Sequence, residues 1–204
     1  MRLPPLYAIV DPLDTGRDPA ALAAALLAGG ARLVQLGWKG ASARELLAAA
    51  RAIRPLARAA GALFLVNDRP DVARAAEADG VHLGQDDLPV PAARRVLGPG
   101  RLIGVSTHDL DQARAAEAAD ADYIGVGPVY ATATKPSALP PRGLALVSAV
   151  RAAVRCPLVA IGGITPETAA AVRAAGADAV AMIGALVRAD DPAAAVRETL
   201  ARLG

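Results

Sequence analysis

Eight short apolar, β-like runs recur along this chain at near-even spacing: Leu6–Val10, Arg32–Leu36, Ala62–Val66, Gly80–Leu83, Leu102–Val105, Tyr123–Val126, Leu158–Ile161 and Ala179–Ile183. Between them lie Ala/Leu-rich stretches with helical periodicity, such as Pro19–Ala28, Ala43–Ala59, Asp109–Ala119 and Pro192–Leu203. The unit repeats every ~25 residues, close to the minimum for a strand, a helix and two loops. Eight such units within 204 residues predict an α/β chain closed as a (β/α)8 TIM barrel, one domain over residues 1–204. Its crossovers are expected to be right-handed. A doubly wound open sheet is the alternative architecture. No composition shift or linker divides the chain.

Helix starts are well signalled. Thr165-Pro166-Glu167 offers an N-cap hydroxyl, a first-turn proline and an early acid, and Asp190-Asp191-Pro192 does the same before the last helix. Ala175-Gly176-Ala177-Asp178 has the form of a helix end with a capping glycine, followed by entry into a strand.

Composition narrows the function. Hydrophobic residues make up 54% of the chain, yet no apolar run approaches the ~18 residues a membrane helix needs. The first residues, Met1-Arg2-Leu3-Pro4-Pro5, have no signal-peptide pattern, and Cys156 is the sole cysteine, so a cytoplasmic setting is expected. The net charge is only +2, and one Trp, one Phe and three Tyr leave few rings for bases to stack on. Neither a nucleic-acid nor a membrane partner is expected.

In barrels of this kind chemistry sits in the loops after the strands, and the opposite face serves stability. Almost every unusual polar cluster falls just after a strand: Asp11, Gln35 with Lys39, Asn67-Asp68-Arg69, Gln85-Asp86-Asp87, Ser106-Thr107-His108, and Thr132 through Lys135. Gln35, Gly37 and Lys39 share a parity and so face one way, into the barrel mouth, if the segment is extended. A lysine there is costly unless it meets an anion, or else it lies past the strand and is solvated. Asp68 and Asp87 follow neighbouring strands. Two carboxylates beside lysines suit Mg²⁺, a hard cation that takes substrate phosphate oxygens as well; turn and N-cap duties explain the same aspartates equally well.

The segment 127–143 is the longest loop, as a lid or binding loop would be, and Thr132, Thr134 and Lys135 within it could grip a phosphate. Gly162-Gly163 and Gly184 follow the seventh and eighth strands, where backbone N–H groups commonly hold phosphate in this fold. His82 reads as a packed or hydrogen-bonded structural histidine. His108 could reach the mouth or serve a helix start, and Cys156 lies on the far face. No Ser-His-Asp, Cys-His or zinc-like arrangement is legible.

Taken together the clusters resemble the thiamine phosphate synthase family. The matching segments are Leu6-Tyr7 through Asp11, Val34-Gln35-Leu36, Lys39, Val66-Asn67-Asp68-Arg69, Gly80 through Asp87, Gly104 through His108, Gly125 through Tyr130, Thr132 through Lys135, and Ile161-Gly162-Gly163-Ile164. The resemblance implies joining of a hydroxymethylpyrimidine diphosphate to a thiazole phosphate, giving thiamine monophosphate and pyrophosphate. It implies Mg²⁺ on Asp68 and Asp87. It implies Gln35, Lys39, Asn67 and Lys135 on the diphosphate, with Ser106 near the pyrimidine. Thr132, Thr134, Gly163, Ile183 and Gly184 would surround the thiazole phosphate. Lys39, Ser106 and Lys135 are thereby the catalytic candidates. The partners implied are two phosphorylated small molecules, and a homodimer is left open.

One departure stands out. The family carries an arginine two residues after the strand-2 glutamine, where this chain has Gly37. Loss of such a charge-assisted contact costs on the order of 1.5–3 kcal/mol. Arg69 or Arg142 is a candidate substitute. Gly184 stands where a serine is common. The tautomerase branch of the family is the nearest rival; it loses the aspartates and places a catalytic histidine where Pro128 stands here. A non-catalytic phosphate-ligand binder is the other alternative. An aldolase is disfavoured because no lysine lies in the sixth strand.

Overall fold

The computed structural model describes residues 2–12, 15–132 and 140–204. Among these, parallel strands alternate with helices: β1 (Leu6–Val10), α1 (Pro19–Ala28), β2 (Leu33–Leu36), α2 (Ala43–Ala59), β3 (Leu63–Asn67), α3 (Pro70–Ala75), β4 (Gly80–Leu83), α4 (Val90–Leu97), β5 (Leu102–Thr107), α5 (Leu110–Ala118), β6 (Tyr123–Val126), α6 (Gly143–Ala153), β7 (Leu158–Ile161), α7 (Pro166–Ala174), β8 (Ala179–Met182), α8 (Gly184–Val187) and α9 (Pro192–Leu203). The strands pair in chain order and β8 pairs with β1, so the sheet closes on itself. The expected (β/α)8 barrel is the fold, and the open sheet is set aside.

Local chemistry explains the element boundaries. Asp18 caps α1 by accepting from the Ala21 N–H, with Pro19 supplying the helical φ at the first position. Ser42 and Glu45 form a reciprocal capping box at α2, and Thr165 and Thr168 form another at α7. Asp109, expected inside its helix, is instead the N-cap of α5, and Ala119 is its C-cap. Ile183, expected in the eighth strand, is the N-cap of the four-residue α8.

The two faces of the sheet carry different residues. Outward positions such as Val10, Val34, Phe64, Val81, Ile103, Ile124 and Val180 are fully buried under the helices. Inward positions hold the rings of Tyr7, His82 and Tyr123. Space for them comes from glycines on the paired strands: a Cβ on Gly104 would lie 1.9 Å from the Tyr123 Cζ, and one on Gly125 would lie 3.2 Å from the His82 Cε1. His82 is hydrogen-bonded on both ring nitrogens, as a structural histidine would be.

At the N-terminal end of the barrel one device occurs three times. Asp79 Oδ2 accepts from Arg54 of α2 and from the Phe64 N–H of β3. Asp122 Oδ2 accepts from Arg94 of α4 and the Ile103 N–H of β5. Asp178 Oδ2 accepts from Arg151 of α6 and the Leu158 N–H of β7. Each aspartate sits one residue before an even-numbered strand, so each clasp ties a helix to the two strands that follow it. Before β2 the corresponding place is held by Arg32, which donates to the Ala31 carbonyl instead.

Candidate active site

The C-terminal end of the barrel is built differently. The loop after β6 lies on the loop after β7: the Val129 N–H donates to the Ile161 carbonyl and the Tyr130 N–H to the Gly162 carbonyl, both at 2.9 Å. This approach requires glycine, because Gly163 has φ +62° and a Cβ on it would lie 2.3 Å from the Ala131 oxygen. After β8 the chain turns at once into α8, with the Leu186 and Val187 N–H groups both donating to the Ile183 carbonyl. Between these turns opens a cavity of about 500 Å³ whose wall includes Thr132, Gly163, Ile183 and Gly184. Four residues expected around one phosphate therefore share one cavity. Thr134 and Lys135 lie outside the described residues.

His108, for which the mouth and a helix start were both open, also lines this cavity, as does Arg188, which was not expected there. The His108 Nδ1 bonds to the Gly127 carbonyl at 2.8 Å, and its N–H donates to Gln112 Oε1, so the residue serves both the mouth and the start of α5. Arg188 is the C-cap of α8 and reaches the cavity because that helix lasts a single turn. No pattern in the sequence marks so short a helix.

The remaining candidates lie over β2 to β5. Gln35 is buried within the barrel, accepts from the Tyr7 hydroxyl at 2.7 Å and donates to Asn67 Oδ1 at 3.0 Å. Gly37 is aimed at the same region, since a Cβ there would lie 3.7 Å from Gln35 Nε2 and 2.9 Å from Ile9 Cγ2. Ser106 Oγ is 2.8 Å from His82 Nε2. Lys39 extends past the strand with a side chain 63% exposed, yet its Nζ is 3.8 Å from Asp68 Oδ2, so it is both solvated and facing an anion. Arg69 does not serve the space beside Gly37: its guanidinium is engaged by both oxygens of Asp71 at 2.9 and 2.5 Å.

The two aspartates differ in environment. Asp68 holds a left-handed φ of +63°, with its N–H donating to the His82 carbonyl, which turns the carboxylate towards Lys39. Asp87 uses Oδ2 to accept the Gly84 N–H at 2.6 Å and so shapes its own turn. Among the described residues no group of three or more His, Cys, Asp or Glu side chains comes together. Two carboxylates still fit Mg²⁺ where substrate phosphates complete the shell, because that ion is commonly held by one or two carboxylates. Burial drives the phenols of Tyr7 and Tyr123 well above the ordinary tyrosine range, so both are hydroxyl groups at any working pH.

A closed parallel barrel with a glycine-walled cavity after β6 to β8, and amides, carboxylates and a lysine over β2 to β5, belongs to the class of (β/α)8 enzymes that hold phosphorylated small molecules at the strand ends. The comparison with known proteins is more specific. The chain belongs to the thiamine monophosphate synthase family, whose model matches residues 6–186. A thiamine-phosphate synthase of Moorella thermoacetica is 52% identical over 193 residues, 94% of this chain and 92% of that protein. A second, from Chloroflexus aurantiacus, is 50% identical over 95% of this chain and 89% of its own length. The solved thiamine phosphate pyrophosphorylase of Pyrococcus furiosus superposes with a TM-score of 0.89 at 35% identity, covering 98% of this chain and 95% of that one.

Proposed function

We propose that this chain is a transferase that joins 4-amino-2-methyl-5-hydroxymethylpyrimidine diphosphate to 4-methyl-5-(2-phosphoethyl)thiazole, giving thiamine monophosphate and pyrophosphate. The observation that carries this reading is the near-full-length similarity, at about half identity, to proteins named thiamine-phosphate synthase. In this reading the thiazole phosphate enters the cavity of Thr132, Gly163, Ile183 and Gly184, with Thr134 from the adjoining loop. Gln35, Asn67, Lys39 and Lys135 hold the diphosphate, and Ser106 meets the pyrimidine. Asp68 and Asp87 hold Mg²⁺, which when bound offsets charge on the phosphate oxygens.

Catalysis then rests on placement and charge. Lys39 and Lys135 stabilise the negative charge that grows on departing pyrophosphate. The thiazole nitrogen, held in the same mouth, captures the pyrimidine carbon. No side-chain nucleophile is required. The reading brings with it a cytoplasmic enzyme of one domain whose partners are the two substrates.

The test is to supply both substrates and Mg²⁺ to the purified protein and follow thiamine monophosphate and pyrophosphate together. Coupled formation of both, abolished by EDTA, is expected. Retention of both ligands without pyrophosphate release would overturn the synthase reading in favour of a binder. Conversion of a thiazole carboxylate phosphate alone would favour the isomerase branch.

A further inference from the structure

Six side chains, one from each of β1 to β6 or its end, form a continuous hydrogen-bonded chain across the barrel interior. Its order is Asn67, Gln35, Tyr7, Tyr123, His82, Ser106, with donor–acceptor distances of 3.0, 2.7, 2.9, 2.8 and 2.8 Å. The three rings pack as well: His82 stacks on Tyr123 at 5.4 Å between centroids, and Tyr7 meets both edge-on. Among the described residues no buried side-chain nitrogen or oxygen lacks a partner.

Counting protons gives this chain a direction. Gln35 donates its amide nitrogen to Asn67, which leaves its oxygen for Tyr7, and Tyr7 must donate. A phenol has one proton, so the contact between the tyrosines is Tyr123 donating to Tyr7. The Tyr123 proton is then spent, and its oxygen can only accept from His82 Nδ1. A neutral imidazole protonated at Nδ1 has a bare Nε2, which accepts the Ser106 hydroxyl proton. Neither phenol can ionise to escape this count, because both are fully buried.

We propose that Tyr7 and Tyr123 are positioning residues that lock His82 in its Nδ1–H tautomer, so that Ser106 turns its proton inward and presents only lone pairs to the substrate. Ser106 is then a fixed acceptor for an N–H group on the substrate heterocycle, and selects a ring bearing an amino donor over one bearing a carbonyl there. Gly104 and Gly125 leave the room that the Tyr123 and His82 rings occupy in this chain. The substrate part of the inference rests on the function proposed above; the tautomer does not.

The experiment is ¹⁵N NMR of the histidine rings in the ligand-free protein. Only two histidines are present, and His108→Gln identifies the signal of His82. The expected result is Nδ1–H for His82, with Tyr123→Phe shifting it to a mixture of tautomers. Tyr123→Phe keeps the ring that fills the space at Gly104, so the barrel is retained. In turnover assays it is expected to lower kcat/KM for the pyrimidine substrate about tenfold, leaving KM for the thiazole phosphate unchanged. An Nε2–H tautomer in the wild type would overturn the proposal, as would a tautomer and kinetics untouched by Tyr123→Phe. If the wild type shows Nδ1–H but makes no thiamine monophosphate, the proposed function fails while the direction of the chain stands.

Discussion

The two ends of the barrel spend their charged residues in opposite ways. At the N-terminal end Asp79, Asp122 and Asp178 each have an arginine and a strand N–H on one oxygen, and all three serve to tie a helix to two strands. At the C-terminal end Lys39 is largely exposed, Asp68 is held in a left-handed backbone conformation, and the turns after β7 and β8 run through glycines. Charges at the first end are matched within the protein. Those at the second pair nearer the solvent, as Lys39 does with Asp68 at 3.8 Å, and face the mouth. The first set of contacts stabilises the barrel, whereas the second lies where chemistry occurs in this fold.

That contrast can be broken most sharply at the mouth. Asp68→Asn is expected to reduce turnover at least a hundredfold at saturating Mg²⁺, because it removes the charge that faces Lys39 and that the proposed function assigns to Mg²⁺. Asparagine tolerates the left-handed backbone, so thermal unfolding should be nearly unchanged. Steady-state kinetics and calorimetry on the same preparation check both halves. Asp122→Ala should do the reverse. It orphans the Ile103 N–H and leaves Arg94 with only the Arg101 carbonyl, a loss of about 2 kcal/mol, or roughly 4–8 °C in Tm for a chain of this size, with kcat within twofold. A large kcat loss there would erase the division between the two ends.

Gly37 offers a finer test. Gly37→Arg alone pushes against Ile9 Cγ2 and is expected to destabilise by about 1–3 kcal/mol with little gain in rate. Adding Ile9→Leu removes that methyl branch at nearly constant volume, and the pair should raise kcat/KM for the diphosphate substrate up to about tenfold. The smallest effect is expected at Cys156, near the clasped end. Burial pushes its thiol up to about 11, so alkylation at pH 8 should run about a hundredfold slower than for free cysteine. Cys156→Ser should leave turnover within twofold.

Much of this was legible in the sequence where local chemistry decides. The bounds of α1, α2 and α9 follow from a capping residue before the first turn, and the strand count follows from the period. The wall of the cavity followed from glycines placed after the seventh and eighth runs. What escaped is what depends on distant partners. Nothing in the sequence marks Tyr7 and Tyr123 as partners, because their bond joins residues 116 apart. Arg188 was hidden behind a one-turn helix. The clasps left a trace that went unread: Ala-Asp stands before β4, β6 and β8 at 78–79, 121–122 and 177–178.

Those clasps also bear on how the ring comes together. Each joins groups 15 to 28 residues apart, so α2–β3–β4, α4–β5–β6 and α6–β7–β8 can each be fastened by contacts within a short stretch of chain. Among the described residues β1 and β2 have no such fastening, and the seam between β1 and β8 joins residues at opposite ends of the molecule, such as Leu6 and Val180. That seam therefore closes a far longer loop than any clasp does, and carries the larger loop-closure entropy.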